Sequence, residues 1–239
     1  MGDSMIRKMF SECNIELSEK QEEQFQSYYE LLIEWNEKIN LTAITEYEEV
    51  IWKHFIDSAL LTKSNLYQEE ERKNVLDMGT GAGFPGIVLA ILSPEKKFTL
   101  VDSLQKRIDF LTLVLEKLDL KNVRLFHGRA EDYGQKDIFR NQFDFVVSRA
   151  VAELPLLLEY CIPFVKENGY FISYKGKKYK EEIDCSGNAF KELTCQLDKI
   201  ENYVLKNKEE ERVLLFIRNN APTNSKYPRR AGKPKKKPL

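Results

Sequence analysis

A short glycine-rich stretch constrains the fold of this chain more than any other feature. Residues 75–90 read VLDMGTGAGFPGIVLA: an apolar run ends in an acid, four glycines follow within eight residues, and apolar spacing then resumes. Gly81, Gly83 and Gly86 have the G-x-G-x-x-G spacing of loops that join a strand to a ligand-binding helix. Glycine has no Cβ, so the backbone can approach a ligand closely. The stretch predicts a βα unit with a binding site where its strand ends.

The chain after Asn74 repeats this alternation of strand and helix. The strand-like runs NVLDM, KFTLVDS, NVRLFHGR, FDFVVSR and GYFISYK are separated by helical patterns, and KIENYVLKNKEEERVLLFIRN indicates two strands joined by a charged turn. Regular βα alternation is typical of a doubly wound parallel sheet. We therefore predict an α/β fold with a mostly parallel, Rossmann-like sheet of seven strands. The last two strands should add antiparallel pairing at one edge.

The first seventy residues lack this alternation and have helical periodicity. In SEKQEEQFQSYYELLIEWNEKIN, apolar residues recur at three- and four-residue steps after Ser18, a suitable N-cap, and residues 46–67 repeat the pattern. Three segments are predicted: a helical cap over residues 1–70, a ligand-binding α/β domain over 71–221, and a flexible basic tail over 222–239.

The net charge of −1 conceals an uneven distribution along the chain. Residues 1–73 hold 8 basic and 16 acidic side chains, whereas the ending KYPRRAGKPKKKPL holds seven basic side chains and no acid. With three prolines and no apolar periodicity, this ending is not expected to form a helix or to bury enough surface to become ordered. Its charge indicates a polyanionic partner, although it could instead fold back onto the acidic cap.

Composition excludes several classes of protein and of site. No apolar run approaches the roughly 18 residues that a membrane span needs, and the first residues lack the apolar region of a signal peptide. We expect a cytoplasmic protein. The four cysteines show no C-x-x-C spacing and there are only two histidines. We therefore expect no metal site, and buried reduced thiols are the simplest interpretation of the cysteines.

Acids at three successive strand ends indicate the class of ligand. Asp102 ends the second strand, where a carboxylate can accept two hydrogen bonds from the ribose of NAD or of S-adenosylmethionine. Asp77 would repel a nearby pyrophosphate, but it would favour the ammonium of S-adenosylmethionine, directly or through backbone and water. Glu131 or Asp132 follows the third strand and could accept from an adenine amino group. Asp102 could alternatively cap a helix and Glu131 be a solvated loop acid, but three acids in order favour S-adenosylmethionine as the cofactor.

The end of the fourth strand, VVSRAV, indicates the chemistry of methyl transfer. The Pro-Pro-aromatic motif of enzymes that methylate exocyclic amino groups is missing, and none of the four cysteines follows a proline as carbon-5 nucleophiles commonly do. Guanine N7 carries a lone pair and no proton at neutral pH, so it needs neither a base nor a nucleophile. Alignment of donor and acceptor suffices, and proximity can lower such a barrier by about 7–11 kcal/mol. The motif is compatible with methylation at N7.

Over essentially its whole length the chain resembles the bacterial 16S ribosomal RNA guanine-N7 methyltransferases, the glucose-inhibited division protein B family. The resemblance rests on EWNEKINLTAI, HFIDS, LDMGTGAGFPGI, DSLQKR, RAED, SRAV and YPRRAGKPKKKPL. It implies a class I methyltransferase domain, S-adenosylmethionine as the methyl donor, and 16S rRNA or the small ribosomal subunit as the partner. The implied target is guanine 527 in the decoding-region loop.

The predicted site residues come partly from the glycine motif and partly from this resemblance. No side chain is assigned as an acid or base, and Arg149 is a candidate for positioning. The predicted cofactor-binding residues are Asp77, Gly79, Gly81, Gly83, Phe84, Asp102, Ser103, Ala130, Glu131 and Arg149.

Two basic segments are candidates for RNA binding. In SYKGKKYK, lysines alternate with Tyr174 and Tyr179, so bases could stack on the rings while phosphates meet the lysines; a solvated loop is an equal alternative. The candidates are Lys175, Lys177, Lys178, Arg229, Arg230, Lys233, Lys235, Lys236 and Lys237. Because the predicted pocket lies on the sheet, loss of the tail should leave it intact. His54 and Asp57 share one helix face and could reach the cleft, although a structural role for His54 is favoured.

Two other functions fit parts of the pattern. A small-molecule methyltransferase would share the cofactor site but gives no role to the basic tail. A non-catalytic assembly factor with this fold would have no need for all three acids. No obligatory protein partner is inferred.

Overall fold

The computed structural model describes residues 4–205 and 210–239 and arranges them around a seven-stranded sheet. Most strands are apolar runs that the sequence predicts, and the two at the centre of the sheet are almost entirely buried, whereas one edge strand is largely polar and exposed. The strands are β1 (Asn74–Met78), β2 (Lys97–Asp102), β3 (Val123–His127), β4 (Phe143–Arg149), β5 (Val165–Lys175), β6 (Cys195–Val204) and β7 (Glu211–Asn219).

The strand order is β3-β2-β1-β4-β5-β7-β6. Strands β1 to β5 pair in parallel, whereas β7 lies antiparallel between β5 and β6. The order reverses at β1, which has β2 on one side and β4 on the other, and ligands of such sheets bind at the carboxyl ends of the strands there. The predicted fold class and antiparallel edge are confirmed. The charged turn predicted between β6 and β7 falls on 206–209, outside the described residues.

Helices cover both faces of the sheet, and no described helix is long and apolar enough to cross a bilayer. Ser18 caps α2 as expected, in a reciprocal capping box with Gln21. The α-helices are α1 (Met5–Ser11), α2 (Glu19–Ile39), α3 (Tyr47–Val50), α4 (Asp57–Ala59), α5 (Asn65–Gln68), α6 (Gly86–Leu92), α7 (Gln105–Lys117), α8 (Ala130–Tyr133), α9 (Leu154–Cys161), α10 (Tyr179–Asp184), α11 (Gly187–Glu192) and α12 (Lys233–Lys236).

The second helix predicted for the cap is not one regular helix. After α3 the backbone widens into a π-helix at Ile51–Ile56, passes through α4 and tightens into a 3₁₀ helix at Leu60–Lys63. Trp52, Phe55 and Leu60 are all buried along this segment. Packing of these side chains against the rest of the core overrides the regular 3.6-residue period that the sequence pattern suggests.

Two hydrophobic cores lie on opposite faces of the sheet, because neighbouring strand residues point to opposite sides. Val75 belongs to the core that includes the cap, α6 and α7, whereas Leu76 belongs to the core built with α9 and α11. The cap therefore shares a continuous core with the first face of the sheet. Phe25 and Phe55 of the cap are completely buried in it.

Direct contacts fix the cap against the glycine loop that follows β1. The Tyr28 hydroxyl donates to the Ala82 carbonyl at 2.5 Å, and the His54 ring stacks on Phe84 with centroids 4.7 Å apart. His54 also lies 2.7 Å from the Thr42 hydroxyl through Nε2 and 3.3 Å from the Arg149 guanidinium through Nδ1. Burial, reinforced by the Arg149 charge, lowers the pKa of His54 to about 3. His54 is therefore neutral in the folded protein.

The basic tail packs against the domain, which corrects the expectation that it forms no helix and buries little surface. Arg140 donates to the Tyr227 carbonyl at 2.7 Å, and Arg229 pairs through Nε with Glu159 of α9 at 2.8 Å. Glu159 and Tyr227 are almost fully buried, and the last lysines form α12. Hydrogen bonds from Arg140 and one buried ion pair hold the segment in place. It is therefore ordered although it contains few apolar residues. The acidic cap is not the surface on which it folds back.

The neutral state of His54 predicts a specific pH dependence. An unfolded histidine titrates near 6.5, so the unfolded chain gains a proton there that the folded protein does not accept until about pH 3. The stability that depends on neutral His54 is therefore complete above pH 6.5 and falls as the pH drops below it. The His54→Gln variant has no imidazole to titrate, so its stability lacks this dependence on pH. The difference in free energy of unfolding between the wild type and His54→Gln should shrink by about 1.4 kcal/mol from pH 7.5 to pH 5.5.

Chemical denaturation of both proteins at several pH values measures this difference, and groups common to both proteins cancel. If the free energies of unfolding of the two proteins changed in parallel with pH over that range, His54 would accept a proton in the folded protein as readily as in the unfolded chain.

Candidate active site

A cavity of about 610 Å³ opens at the carboxyl ends of β1, β2 and β4, where the order of the sheet reverses. The cap, the glycine loop, the start of α8 and the tail all contribute to its wall. The lining residues are Leu41, Thr42, His54, Met78, Gly79, Thr80, Gly81, Ala82, Phe84, Val101, Asp102, Ser103, Arg107, Gly128, Arg129, Ala130, Glu131, Arg149, Ala150, Val151, Tyr160, Gly232 and Lys235.

The glycine loop presents bare backbone to this cavity. Gly81 has φ +62°, which disfavours other residues, and no atom lies within 4 Å of the position that a Cβ would take. Its N–H donates to Asp102 Oδ2 at 2.9 Å. The space beside Gly81 is thus open to a ligand, and its backbone is held in place from the neighbouring strand.

Asp77 acts behind the loop and does not face the cavity. Its side chain is completely buried, and Oδ2 accepts a hydrogen bond of 2.8 Å from the N–H of Gly86, the first residue of α6. Burial raises its pKa to about 7, although the Gly86 N–H opposes that shift. Of the two routes considered for Asp77, direct contact and contact through the backbone, the structure favours the second.

Asp102 lies in the cavity wall with a fixed orientation. Oδ1 accepts from the Leu104 N–H at 2.9 Å, and Oδ2 accepts from Gly81 and from Arg107 at 3.2 Å. Only 2% of the residue is exposed. Each carboxylate oxygen can accept more than one hydrogen bond. Asp102 is therefore held in a fixed orientation and can still accept hydrogen bonds from a ligand. Ser103 follows it at the exposed rim.

The far end of the cavity is formed by α8 and the tail. Ala130 and Glu131 begin α8, and the Gly232 N–H of the tail lies 3.4 Å from Glu131 Oε1. Burial, followed by the influence of Glu131, raises the pKa of Tyr160 to about 12, which keeps this phenol neutral. Lys235 completes this end. The tail is thus part of the wall, which corrects the expectation that the pocket is independent of it.

Arg149 links the end of β4 to the cap. It donates to Asp57 Oδ2 at 2.8 Å and lies 5.1 Å above the Phe84 ring, so its charge is paired and partly stacked. With His54 it closes one side of the cavity. His54 itself lines the cleft, whereas Asp57 is linked to the cleft through Arg149, which lies 92 residues away in sequence.

A second cavity of about 420 Å³ adjoins the first and shares His54, Arg149 and Ala150 with it. It lies at the ends of β4 and β5. The side chain of Lys175, a predicted RNA contact, is only 7% exposed here and pairs with Glu182 at 2.5 Å, so its charge is already paired. Tyr174 is also buried and donates to the Ser58 carbonyl, so it offers no exposed stacking surface. Lys177 and Lys178 are exposed.

Eight of the ten predicted cofactor-binding residues line the first cavity, and two do not. Asp77 and Gly83 lie outside its lining, Gly83 being packed against Tyr28. Sequence reasoning missed Thr42, Tyr160 and Gly232, which reach the cavity from distant segments. The predicted residues that do line it are Gly79, Gly81, Phe84, Asp102, Ser103, Ala130, Glu131 and Arg149.

Neither cavity holds the apparatus for metal or thiol chemistry within the described part of the chain. No group of three His, Cys, Asp or Glu side chains there could hold a metal ion. No described cysteine lines either cavity, and burial raises the pKa of Cys161 and of Cys195.

Comparison with known proteins gives the family. The model of the family described as rRNA small subunit methyltransferase G matches residues 21–215. A relative of that name from Lachnoclostridium phytofermentans is 51% identical over 94% of this chain and 92% of its own. Another from Streptococcus agalactiae is 46% identical over the whole of both chains. The crystal structure of M. jannaschii TYW2 in complex with AdoMet has the same fold, with a TM-score of 0.51 and 18% identity over 64% of this chain and 72% of that one. This chain belongs to the rRNA small subunit methyltransferase G family.

Proposed function

We propose that the protein transfers the methyl group of S-adenosylmethionine to N7 of a guanine in 16S rRNA. The observation that carries the proposal is the hydrogen bond from Gly86 N–H to Asp77. A dinucleotide would place its pyrophosphate on the N–H groups at the start of α6. In this chain a buried carboxylate already accepts from Gly86, so that position is closed to a phosphate. A cofactor without phosphates fits, and membership of a methyltransferase family supports the same choice.

The residues of the first cavity fit the parts of this cofactor. Asp102, with Ser103, would accept from the ribose hydroxyls, and Ala130 and Glu131 would border the adenine. The open space at Gly81 and the backbone of Gly79 would admit the amino-acid part, with Phe84 beside it. The volume of about 610 Å³ is ordinary for a ligand of this size. The bound cofactor supplies an electrophilic methyl group, and the protein supplies its orientation.

The target atom is inferred from what the cavities lack and from the family. N7 of guanine attacks through an unprotonated lone pair, so the protein has no proton to remove. The described residues of the two cavities include no cysteine, and His54 is neutral and already engaged by Thr42 and Arg149. Arg149 would position the reacting groups, because it forms the wall between the two cavities. The implied target is guanine 527 of the decoding-region loop, methylated in the cytoplasm on 16S rRNA or the small subunit.

Exposed basic residues beside the cavity mouth support an RNA substrate. Lys177 and Lys178 follow β5, and the tail adds a second group around Gly232. Phosphate contacts from such residues hold a strand in place without reading its sequence. The exposed basic residues of the tail are Lys226, Arg230, Lys233, Lys235, Lys236 and Lys237, of which Lys226 pairs with Glu192, whereas Arg229 is engaged by Glu159.

Replacement of Asp102 tests the cofactor site. Asp102→Ala removes the ribose acceptor and also releases Gly81 and Arg107, so affinity for S-adenosylmethionine or its demethylated product should fall at least tenfold. Calorimetry of both proteins measures this, with NAD as the ligand that should not bind. Asp109→Ala, an exposed acid on α7, is the matched control and should bind normally. Unchanged affinity in Asp102→Ala would contradict the assignment.

The nature of the product tests the reaction. N7-methylguanine is positively charged and its glycosidic bond is labile, so borohydride and aniline should cleave the modified rRNA at one guanine. Substitution of any of the four cysteines by Ser should leave turnover within a modest factor. A label found on a ribose oxygen, an exocyclic amine or a pyrimidine carbon would refute the N7 assignment.

Substitutions of Arg229 and Arg230 distinguish the structural role of the tail at the cavity from its role in RNA binding. Arg229→Ala leaves the buried Glu159 without its partner, which typically costs about 3–5 kcal/mol, and it should loosen the tail from the cavity and weaken cofactor binding. Arg230→Ala removes the same charge from an exposed position, so it should spare stability and cofactor affinity. It should reduce the salt dependence of rRNA binding by about 0.7 log units per log unit of salt.

Thermal unfolding, calorimetry and rRNA binding at several salt concentrations measure these effects. Truncation after Asn224 should combine them. Normal cofactor affinity in the truncated protein would show that the tail is not part of the site.

A further inference from the structure

The second cavity has a carboxylate anchored through only one of its oxygens. Glu182 Oε2 accepts from Lys175 at 2.5 Å and from the Leu154 N–H at 2.7 Å. Lys175 also donates to the Ala152 carbonyl at 3.0 Å, so the ion pair is fixed at the ends of β4 and β5. No residue in the described ranges donates a hydrogen bond to Glu182 Oε1. A carboxylate that lines a cavity, held rigidly with one oxygen unused, is suited to accept from a ligand.

The charges of the cavity fit a nucleotide. Its lining includes four cationic side chains and two acids, and the acids are held in place by cations: Asp57 by Arg149 and Arg212, and Glu182 by Lys175. The surplus of positive charge favours a phosphate at the mouth. Inside, Glu182 keeps one carboxylate oxygen to which no described residue donates, and this favours a group that donates hydrogen bonds.

Guanine carries such donors on the edge opposite its reactive atom. The N1–H and the 2-amino group lie side by side on one edge, whereas N7 and O6 are acceptors on the other edge. A carboxylate oxygen can accept more than one hydrogen bond, so the unused Oε1 has the capacity to accept from both donors. No other standard RNA base offers this adjacent pair of donors, so Glu182 would select guanine.

We propose that the second cavity holds the target guanine, with Glu182 accepting from N1–H and the 2-amino group. This inference rests on the proposed function and adds the specificity-determining residue. The base would then point N7 away from Glu182, toward the wall of His54, Arg149 and Ala150 that the two cavities share. Lys175 is a positioning residue, because it fixes Glu182 without reaching the base.

The test compares RNA fragments that carry guanosine or inosine at the target position. Inosine retains N7, O6 and N1–H but lacks the 2-amino group. The wild type should methylate the guanosine RNA with a kcat/KM about tenfold or more above the inosine RNA, because one charge-assisted hydrogen bond is lost. In Glu182→Gln, which retains an oxygen for Leu154 N–H, the ratio should fall to within about threefold. Glu181→Gln, an exposed neighbour on α10, should keep the wild-type ratio.

A second variant tests whether the change in guanosine preference comes from the loss of Glu182 or from the Lys175 charge that this loss leaves unpaired. Lys175→Met combined with Glu182→Met removes both charges, and it too should lose the preference while binding S-adenosylhomocysteine as the wild type does. For any variant without turnover, the affinity for the two RNAs is measured in the presence of S-adenosylhomocysteine. That readout does not require turnover.

The outcomes distinguish this inference from the proposed function. N7-methylguanine formed with the same guanosine preference in wild type, Glu182→Gln and the double variant overturns the role of Glu182 and leaves the reaction intact. Equal use of guanosine and inosine by the wild type also overturns it. A wild-type product other than N7-methylguanine overturns the proposed function itself.

Discussion

The hydrogen bond between the buried Asp77 carboxylate and the Gly86 N–H determines how this site is built. A helix begins with N–H groups that lack partners inside the helix, and here one of them is satisfied from β1. The contact closes the glycine loop from behind, so residues 79–84 bulge toward the cavity at the end of the strand. It requires burial of a carboxyl group whose pKa rises to about 7. Together with the hydrogen bond from the Gly81 N–H to Asp102, it fixes the exposed loop backbone and the start of α6.

The cap provides the second constraint, because it contacts the same loop from the front. Tyr28 bonds the loop carbonyl of Ala82, while His54 and Arg149 cover Phe84 from above. The loop is therefore held between a strand and a helical segment that share one core. Removal of the cap would expose that core and one wall of the cavity together, so cap and sheet act as one structural unit around the site.

Local patterns in the sequence were sufficient for the sheet and for most of the first cavity. Strand ends, the glycine spacing and Asp102 are properties of short segments, and parallel strands bring their carboxyl ends to one edge. Asp77 shows the limit of such reasoning: the sequence placed an acid at the strand end but left open whether it meets the ligand directly or through the backbone. A period-two pattern cannot tell whether a carboxylate at a strand end faces the ligand or the helix behind it. Lys175 shows the same limit, since its partner Glu182 lies on the following helix.

The structure of the tail could not be derived from its composition. Composition indicates how much apolar surface a segment can bury, but not which specific hydrogen bonds and ion pairs it forms. Glu159 lies in the apolar run LPLLLEYC, and its burial becomes understandable only once Arg229 is placed beside it. Arg140 likewise satisfies tail carbonyl groups from a distant segment. These contacts join residues 70 or more positions apart, and such pairs leave no trace in local spacing.

The position of α12 at the rim of the first cavity has a thermodynamic consequence. The segment that borders the space for the small ligand also carries three exposed lysines, so a polyanion that contacted them would not meet an independent surface. Binding at either place then changes affinity at the other by the same factor, as linkage between coupled sites requires. A polyanion that holds α12 in place would slow exchange of the small ligand, and a filled cavity would present α12 already ordered. Exchange of spent cofactor would then be fastest after the polyanion has left.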